Sequence, residues 1–210
     1  MTRTANDTRD KLILHGQRLF AEQGVFRVPL RLVVDQAGQK NSSALHYHFG
    51  GRDGLLQAII ERHNDSIESE RSQMLDDIRA QGHTGDVAAI TRAVVLPFAR
   101  KLDTSDGREF LRIVAQLSDL FDAWELATPN TPTQAQAAFF MLTAALGELP
   151  AELRRERVTT FLMFVSDALA LRARQIELAK QLHVSTEQFI VNLIDMSVGA
   201  LKAPSTLLKQ

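Results

Sequence analysis

The chain has no cysteine, which excludes disulfides and thiolate metal sites and suits a reducing compartment. Glycine, proline and tyrosine are sparse, at 11, 6 and 1 in 210 residues, so a fold rich in strands and tight turns is disfavoured and helix is expected almost throughout. No apolar run approaches the roughly 18 to 20 residues of a membrane span. The polar start Met1-Thr2-Arg3-Thr4-Ala5-Asn6-Asp7 carries no signal-peptide apolar stretch. A soluble, cytoplasmic protein without a membrane partner is expected. Nucleophile elbow, glycine-rich phosphate loop and carboxylate pairs at metal-binding spacing are all missing, so the sequence points away from an enzyme and implies no cofactor.

What is present is an ordinary globular mix, 45% hydrophobic and 23% charged, long enough to bury a sizeable core. The net charge of −1 rules out a uniformly basic polyanion binder, but it is unevenly spread: nine basic and six acidic residues lie at or before His63, against 15 and 19 after it. A basic head on an acidic body fits a chain that touches a polyanion at one end.

Apolar Leu12, Ile13, Leu19 and Phe20 recur at helical spacing and predict a first helix from about Asn6 to Gln23, with Gly24 at its C-cap. Pro29 opens a short second helix striped by Leu30, Val33, Val34 and Ala37 and ended by Gly38. After the polar turn Gln39-Lys40-Asn41-Ser42, a third helix of about two turns runs from Ser43 to Phe49. Gly50-Gly51 interrupts, and one long helix from about Arg52 to Ala80 follows. Further helices are expected over Val87–Leu102 with a kink at Pro97, over Asp106–Leu126, from an N-cap at Thr131 to Gly147, from Pro150 to about Leu182, and from a Ser185 capping box to about Leu201. The expected fold is all-α with about nine helices.

Three helices, the last two short and joined by a four-residue turn, have the layout of a helix-turn-helix. On the third helix Leu45 and Phe49 mark the buried side, which turns Ser43 and Tyr47 outward and puts Ala44 and His46 on the flanks. A polar helix face held rigidly by its neighbours suits the DNA major groove. Lys40, Asn41, Ser42 and Ser43 are candidates for base or phosphate contacts, with His46 beside them, and Tyr47, His48 and Arg52 can reach phosphates. The competing reading makes Tyr47 and His48 mere packing aromatics. A metal at His46 and His48 is disfavoured, because positions i and i+2 of a helix point apart.

The stretch Leu19-Phe20-Ala21-Glu22-Gln23-Gly24, then Ala37-Gly38, then Leu45-His46-Tyr47-His48-Phe49-Gly50-Gly51-Arg52-Asp53-Gly54-Leu55-Leu56 resembles the DNA-binding head of TetR-family transcriptional regulators over about residues 9 to 63. The resemblance implies a helix-turn-helix domain over residues 1–50 that reads double-stranded operator DNA, with Ser42, Ser43, Tyr47, His48 and Arg52 at matching positions. It also implies a ligand-binding and dimerisation domain over residues 51–210, and a repressor released from a pseudo-palindromic operator by a small molecule. Two departures stand out. Val28-Pro29 occupies the place where the family usually has Thr or Ser, and the turn is one residue longer than its commonest form.

In the body, aromatic and aliphatic side chains between Val94 and Leu146 exceed what one face of each helix needs. They suit either a plain core or an elongated apolar cavity near Pro97, lined by some of Phe98, Phe110, Gln116, Phe121, Trp124 and Phe140. The effector would be apolar or aromatic, since basic residues are scarce among those positions. The helices after Pro150 and Ser185 carry apolar residues on more than one face. A two-fold homodimer through Phe161, Val165, Leu169, Phe189, Leu193 and Ile194 is therefore expected. The rival function is a helical dimeric interaction module with degenerate DNA binding.

Overall fold

The structure, a computed structural model, describes residues 2–39, 43–118 and 133–206, with side chains from residue 6 onward. Among these residues it contains helices and no strand: α1 (Thr2–Gln23), α2 (Leu30–Gln36), α3 (Ser43–Phe49), α4 (Arg52–Ala80), α5 (Val87–Ala99), a 3-10 turn (Arg100–Asp103), α6 (Ser105–Gln116), α7 (Gln134–Ala145), α8 (Ala151–Glu177) and α9 (Thr186–Lys202). The expected all-α architecture is thus observed.

Local chemistry sets the helix ends. The C-terminus of α2 is closed by Gly38 at φ +68°, where the Gly38 N–H donates to Asp35 O and the Gln39 N–H to Val34 O, satisfying two carbonyls that the helix leaves orphaned. At its start Pro29 offers no side-chain cap, consistent with the missing Thr or Ser. Three expected boundaries are corrected, the first being that of α6, which stops at Gln116 with Leu117 as its C-cap and does not run to Leu126. The cap of α7 is Thr133, whose hydroxyl accepts the Gln136 N–H at 3.2 Å, so the helix starts beyond Thr131, which lies outside the described residues. Helix α8 stops at Glu177 rather than near Leu182, because Ala179 turns into the left-handed region at φ 47° and Lys180 N–H closes back on Gln175 O. The Ser185 capping box of α9 forms as expected.

Two apolar clusters share α4. The first gathers Leu12 and Phe20 of α1, Val33 and Val34 of α2, Leu45 of α3 and Leu55 and Ile59 from the opening turns of α4, and it is completed by Ile113 of α6. The second joins Leu75 and Ile78, near the far end of α4, to α5, α7, α8 and α9. Each fully buried Leu, Ile or Phe contributes roughly 1.5–3 kcal/mol, so dozens of such residues supply the driving force for both halves.

Candidate nucleic-acid interface and body cavity

A two-turn helix does not persist alone in water, and α3 is held by its apolar side. Leu45 is buried and Phe49 half-buried, with the Arg9 guanidinium 5.5 Å above the Phe49 ring. Ser43, His46 and Tyr47 are exposed, Tyr47 to 83%. His48 is half-buried, its ring 5.1 Å from that of Tyr47 in an edge-on arrangement. The helix therefore displays a small polar-aromatic surface on a fixed base. Lys40, Asn41 and Ser42 lie outside the described residues.

Arg52 departs from expectation. Its guanidinium faces inward, donating through Nη2 to Val28 O at 2.7 Å and through Nη1 to Val25 O, with the Phe20 ring 5.5 Å away. Its donors tie the start of α4 to the α1–α2 connection.

The body contains a cavity of about 290 Å³ beside Pro97, lined by residues of α4, α5, α6, α7 and α8. Phe98 and Phe110 line it, their rings 6.1 Å apart. Two other expected lining residues lie elsewhere. Phe140 is 53% exposed, and the Gln116 amide binds the head, accepting from Val25 N–H at 2.8 Å and donating to Phe20 O at 3.2 Å. Phe121 and Trp124 lie outside the described residues.

The cavity wall also carries charge that the aromatic count did not reveal. Arg71, 1% exposed, forms a salt bridge with Glu68 one turn earlier on α4. Pro97 has no N–H to give Ala93 O, four residues back, and Arg71 Nε donates to that carbonyl at 3.3 Å instead. Glu68 Oε2 accepts the Gln134 and Ala135 N–H groups at 2.7 and 3.3 Å, so the carboxylate caps α7. Burial pulls the Arg71 pKa down while Glu68 opposes it, and the guanidinium stays charged. A sequence signal for this existed: Arg71 stands four residues from both Ile67 and Leu75, inside the apolar stripe of α4.

Helix α6 has two working faces. One carries Phe110, Val114 and Leu117 into the cavity wall. The other holds α1: Gln17 Nε2 lies 2.8 Å from Asp106 Oδ1 and 3.1 Å from Glu109 Oε2, and Arg112 Nη2 donates to Ala21 O at 2.7 Å. Those carboxylates orient the Gln17 amide, so its oxygen faces His63 Nε2 at 2.9 Å and assigns the neutral ring its proton on that nitrogen. His63 is also stacked on Phe110 at 4.3 Å. Burial pushes its pKa down to about 4, against the smaller upward pull of Asp106. Desolvation likewise raises the Glu109 pKa, opposed by its bond with Gln17.

The expected dimer residues divide differently. Phe161, Val165, Leu169, Leu193 and Ile194 are buried in the protomer's own core, and Phe189 is half-buried under the Arg172 guanidinium at 4.9 Å. The first five are therefore corrected from interface to core, because the strongest apolar stripe of each helix packs inward, whereas Phe189 keeps part of its surface open. The exposed apolar side chains on α8 and α9 are Met163, Phe164, Leu171, Val191 and Met196. Among the described residues no trio of histidine and carboxylate side chains is placed to hold a metal, and no helix is long and apolar enough to cross a membrane.

No protein-family model matches the chain, and no curated protein is significantly similar to it. Among solved structures it is similar to a gamma-butyrolactone receptor (ArpA-like protein), with 18% identity over 92% of this chain and 98% of that one and a TM-score of 0.49. It is also similar to a TetR transcription regulator from Haloarcula marismortui, with 17% identity over 94% and 98% and a TM-score of 0.47. A TetR-family regulator from Streptomyces coelicolor gives 20% identity over 93% and 95% and a TM-score of 0.42. With TM-scores below 0.5 these likenesses add no weight, and what this chain does must come from its own residues.

Proposed function

We propose that the protein is a TetR-like, dimeric DNA-binding transcriptional regulator, a repressor released from its operator when a small molecule enters the body cavity. The observation that carries this reading is α3, a two-turn helix fixed through Leu45 and presenting Ser43, His46 and Tyr47 to solvent, within the stretch whose residues resemble a TetR-family head. Two such heads on a two-fold axis would meet half-sites one helical turn apart on a pseudo-palindrome. The second copy docks against Phe164, Leu171, Val191 and Met196, apolar side chains that α8 and α9 leave exposed, while Met163 faces the cavity. Phosphate binding rests on Tyr47, His48 and the turn residues Lys40, Asn41 and Ser42, while Arg52 holds the start of α4 against the α1–α2 connection.

The cavity supports the effector site, and α6 supports the coupling, since one of its faces lines the cavity while the other grips α1. A ligand that displaces Phe110 would disturb the stack on His63 and the bond to Gln17 together, favouring a head spacing that no longer fits the operator.

Selection of bound duplexes from a random pool tests the reading directly. A pseudo-palindrome should emerge, its affinity falling steeply with salt as phosphate contacts release counterions. Tyr47→Ala should weaken binding roughly tenfold or more while leaving stability within about 0.5 kcal/mol. Lack of enrichment at low salt would sink the DNA-binding assignment and favour a protein-interaction module.

A further inference from the structure

The cavity described above is mostly apolar, but its wall contains a full charge of each sign in one pair, Glu68 and Arg71. Each partner is anchored to another wall helix, Arg71 through Ala93 O on α5 and Glu68 through the Gln134 and Ala135 amides at the start of α7. The guanidinium is therefore fixed in place and already neutralised. An unpaired buried arginine would attract carboxylates. Here any anion within reach of Arg71 also meets the Glu68 carboxylate, and any cation drawn to Glu68 meets Arg71. A pure hydrocarbon fares poorly for a different reason: it strips water from the pair and offers no hydrogen bond in return.

Building on the effector-site reading, we infer that the cavity selects uncharged, largely apolar molecules bearing one carbonyl- or hydroxyl-type polar end, and that the Glu68–Arg71 pair is the element that orients this end and rejects ions. A cavity of about 290 Å³ suits a compact molecule, an aromatic ring with a short chain. The polar end then sits where α4, α5 and α7 are tied together, so a bound ligand touches all three through one contact point.

Calorimetry on the full chain with four probes of nearly equal size separates the possibilities: benzylacetone as the neutral ketone, butylbenzene as the hydrocarbon, hydrocinnamate as the anion and phenylpropylamine as the cation. Benzylacetone should bind most tightly, roughly tenfold better than either charged probe and measurably better than butylbenzene. In Glu68→Gln, whose amide oxygen can still accept from α7, the guanidinium loses its neutralising partner, and hydrocinnamate should overtake benzylacetone. Hydrocinnamate or butylbenzene matching benzylacetone in the unmodified protein would overturn the inference while leaving the cavity as an effector site. Failure of all four probes to bind would overturn both. The rank order in the unmodified protein decides the matter even if the variant does not fold.

Discussion

The head and the body solve opposite problems with the same helices. In the head, α3 packs through Leu45 and Phe49 so that a small surface of Ser43, His46 and Tyr47 can be shown. The body turns charged Glu68 and Arg71 inward and leaves Phe164, Leu171, Val191 and Met196 outside. Under the proposed function, the head would need rigid polar display to meet a polyanion, and the body would need apolar surface at two places, with a polar element inside, to hold a small molecule and meet its own copy. The halves are nevertheless joined by α6, whose Ile113 completes the head's apolar cluster.

That shared residue offers the strongest way to break the comparison. Ile113 has no exposed surface, and Ile113→Ala should lower the stability of the whole chain by about 4 kcal/mol, in a single urea transition that reports head and body together. Two separated transitions, with only the body shifted, would show that the head stands by itself. Gly54→Ala acts on the head alone. A Cβ there would lie 1.9 Å from Phe49 O, the last carbonyl of α3, so the α3–α4 junction must move. A loss of about 3 kcal/mol is expected, with operator binding abolished even under conditions where the chain remains folded.

How far the sequence revealed each half follows from the range of the interactions. The outward face of α3 was readable because Leu45 and Phe49, one helical turn apart, fix its orientation without help from elsewhere. The limits of α4 were readable for the same reason, through Gly50-Gly51 and a long apolar period. Arg52 was not, since the carbonyls of Val25 and Val28 reach it only after α1 and α2 have packed. Phe161, Val165, Leu169, Leu193 and Ile194 belong to the core and not to a surface, which was not readable because an amphipathic helix with two apolar faces does not say which one packs at home. His63 and Arg71 could have been found, each standing within the Ile59–Ile67–Leu75 stripe of α4, where a polar residue implies a buried partner. Their partners, Gln17 and Ala93, belong to other helices and needed the structure.

His63 gives the next contrast, since it lies where the two halves meet. The groups around it are Arg62 beside it on α4, Lys101 of the 3-10 turn, Asp106 of α6 and Gln17 of α1. In the unfolded chain the ring titrates near 6.5, and in the folded one near 4 because burial disfavours the cation. Between those values the unfolded state binds a proton that the folded state refuses. The contribution is therefore intact above pH 6.5 and is lost progressively as pH falls toward 4, by up to roughly 3 kcal/mol. Urea unfolding across that window should be steeper in pH for the unmodified chain than for His63→Gln. Equal slopes would mean that the joint opens to water before it acidifies.

The smallest effect comes from the way each half ends a helix. Helix α2 in the head and α8 in the body close with the same pair of backbone bonds, from the residue in the left-handed region and from the one after it. The head places Gly38 there at φ +68°, and the body places Ala179 at φ 47°. An L-residue with a Cβ is strained in that region by roughly 1–2 kcal/mol, whereas glycine enters it freely but loses more backbone entropy on folding. Strain outweighs entropy at such a position, so Ala179→Gly should stabilise the protein by about 0.5–1 kcal/mol and leave operator affinity unchanged. A destabilised variant would mean that the Ala179 methyl makes contacts, in the dimer for instance, worth more than the strain it imposes. Comparing the shift at low and high protein concentration distinguishes a contact within the protomer from one in the proposed dimer.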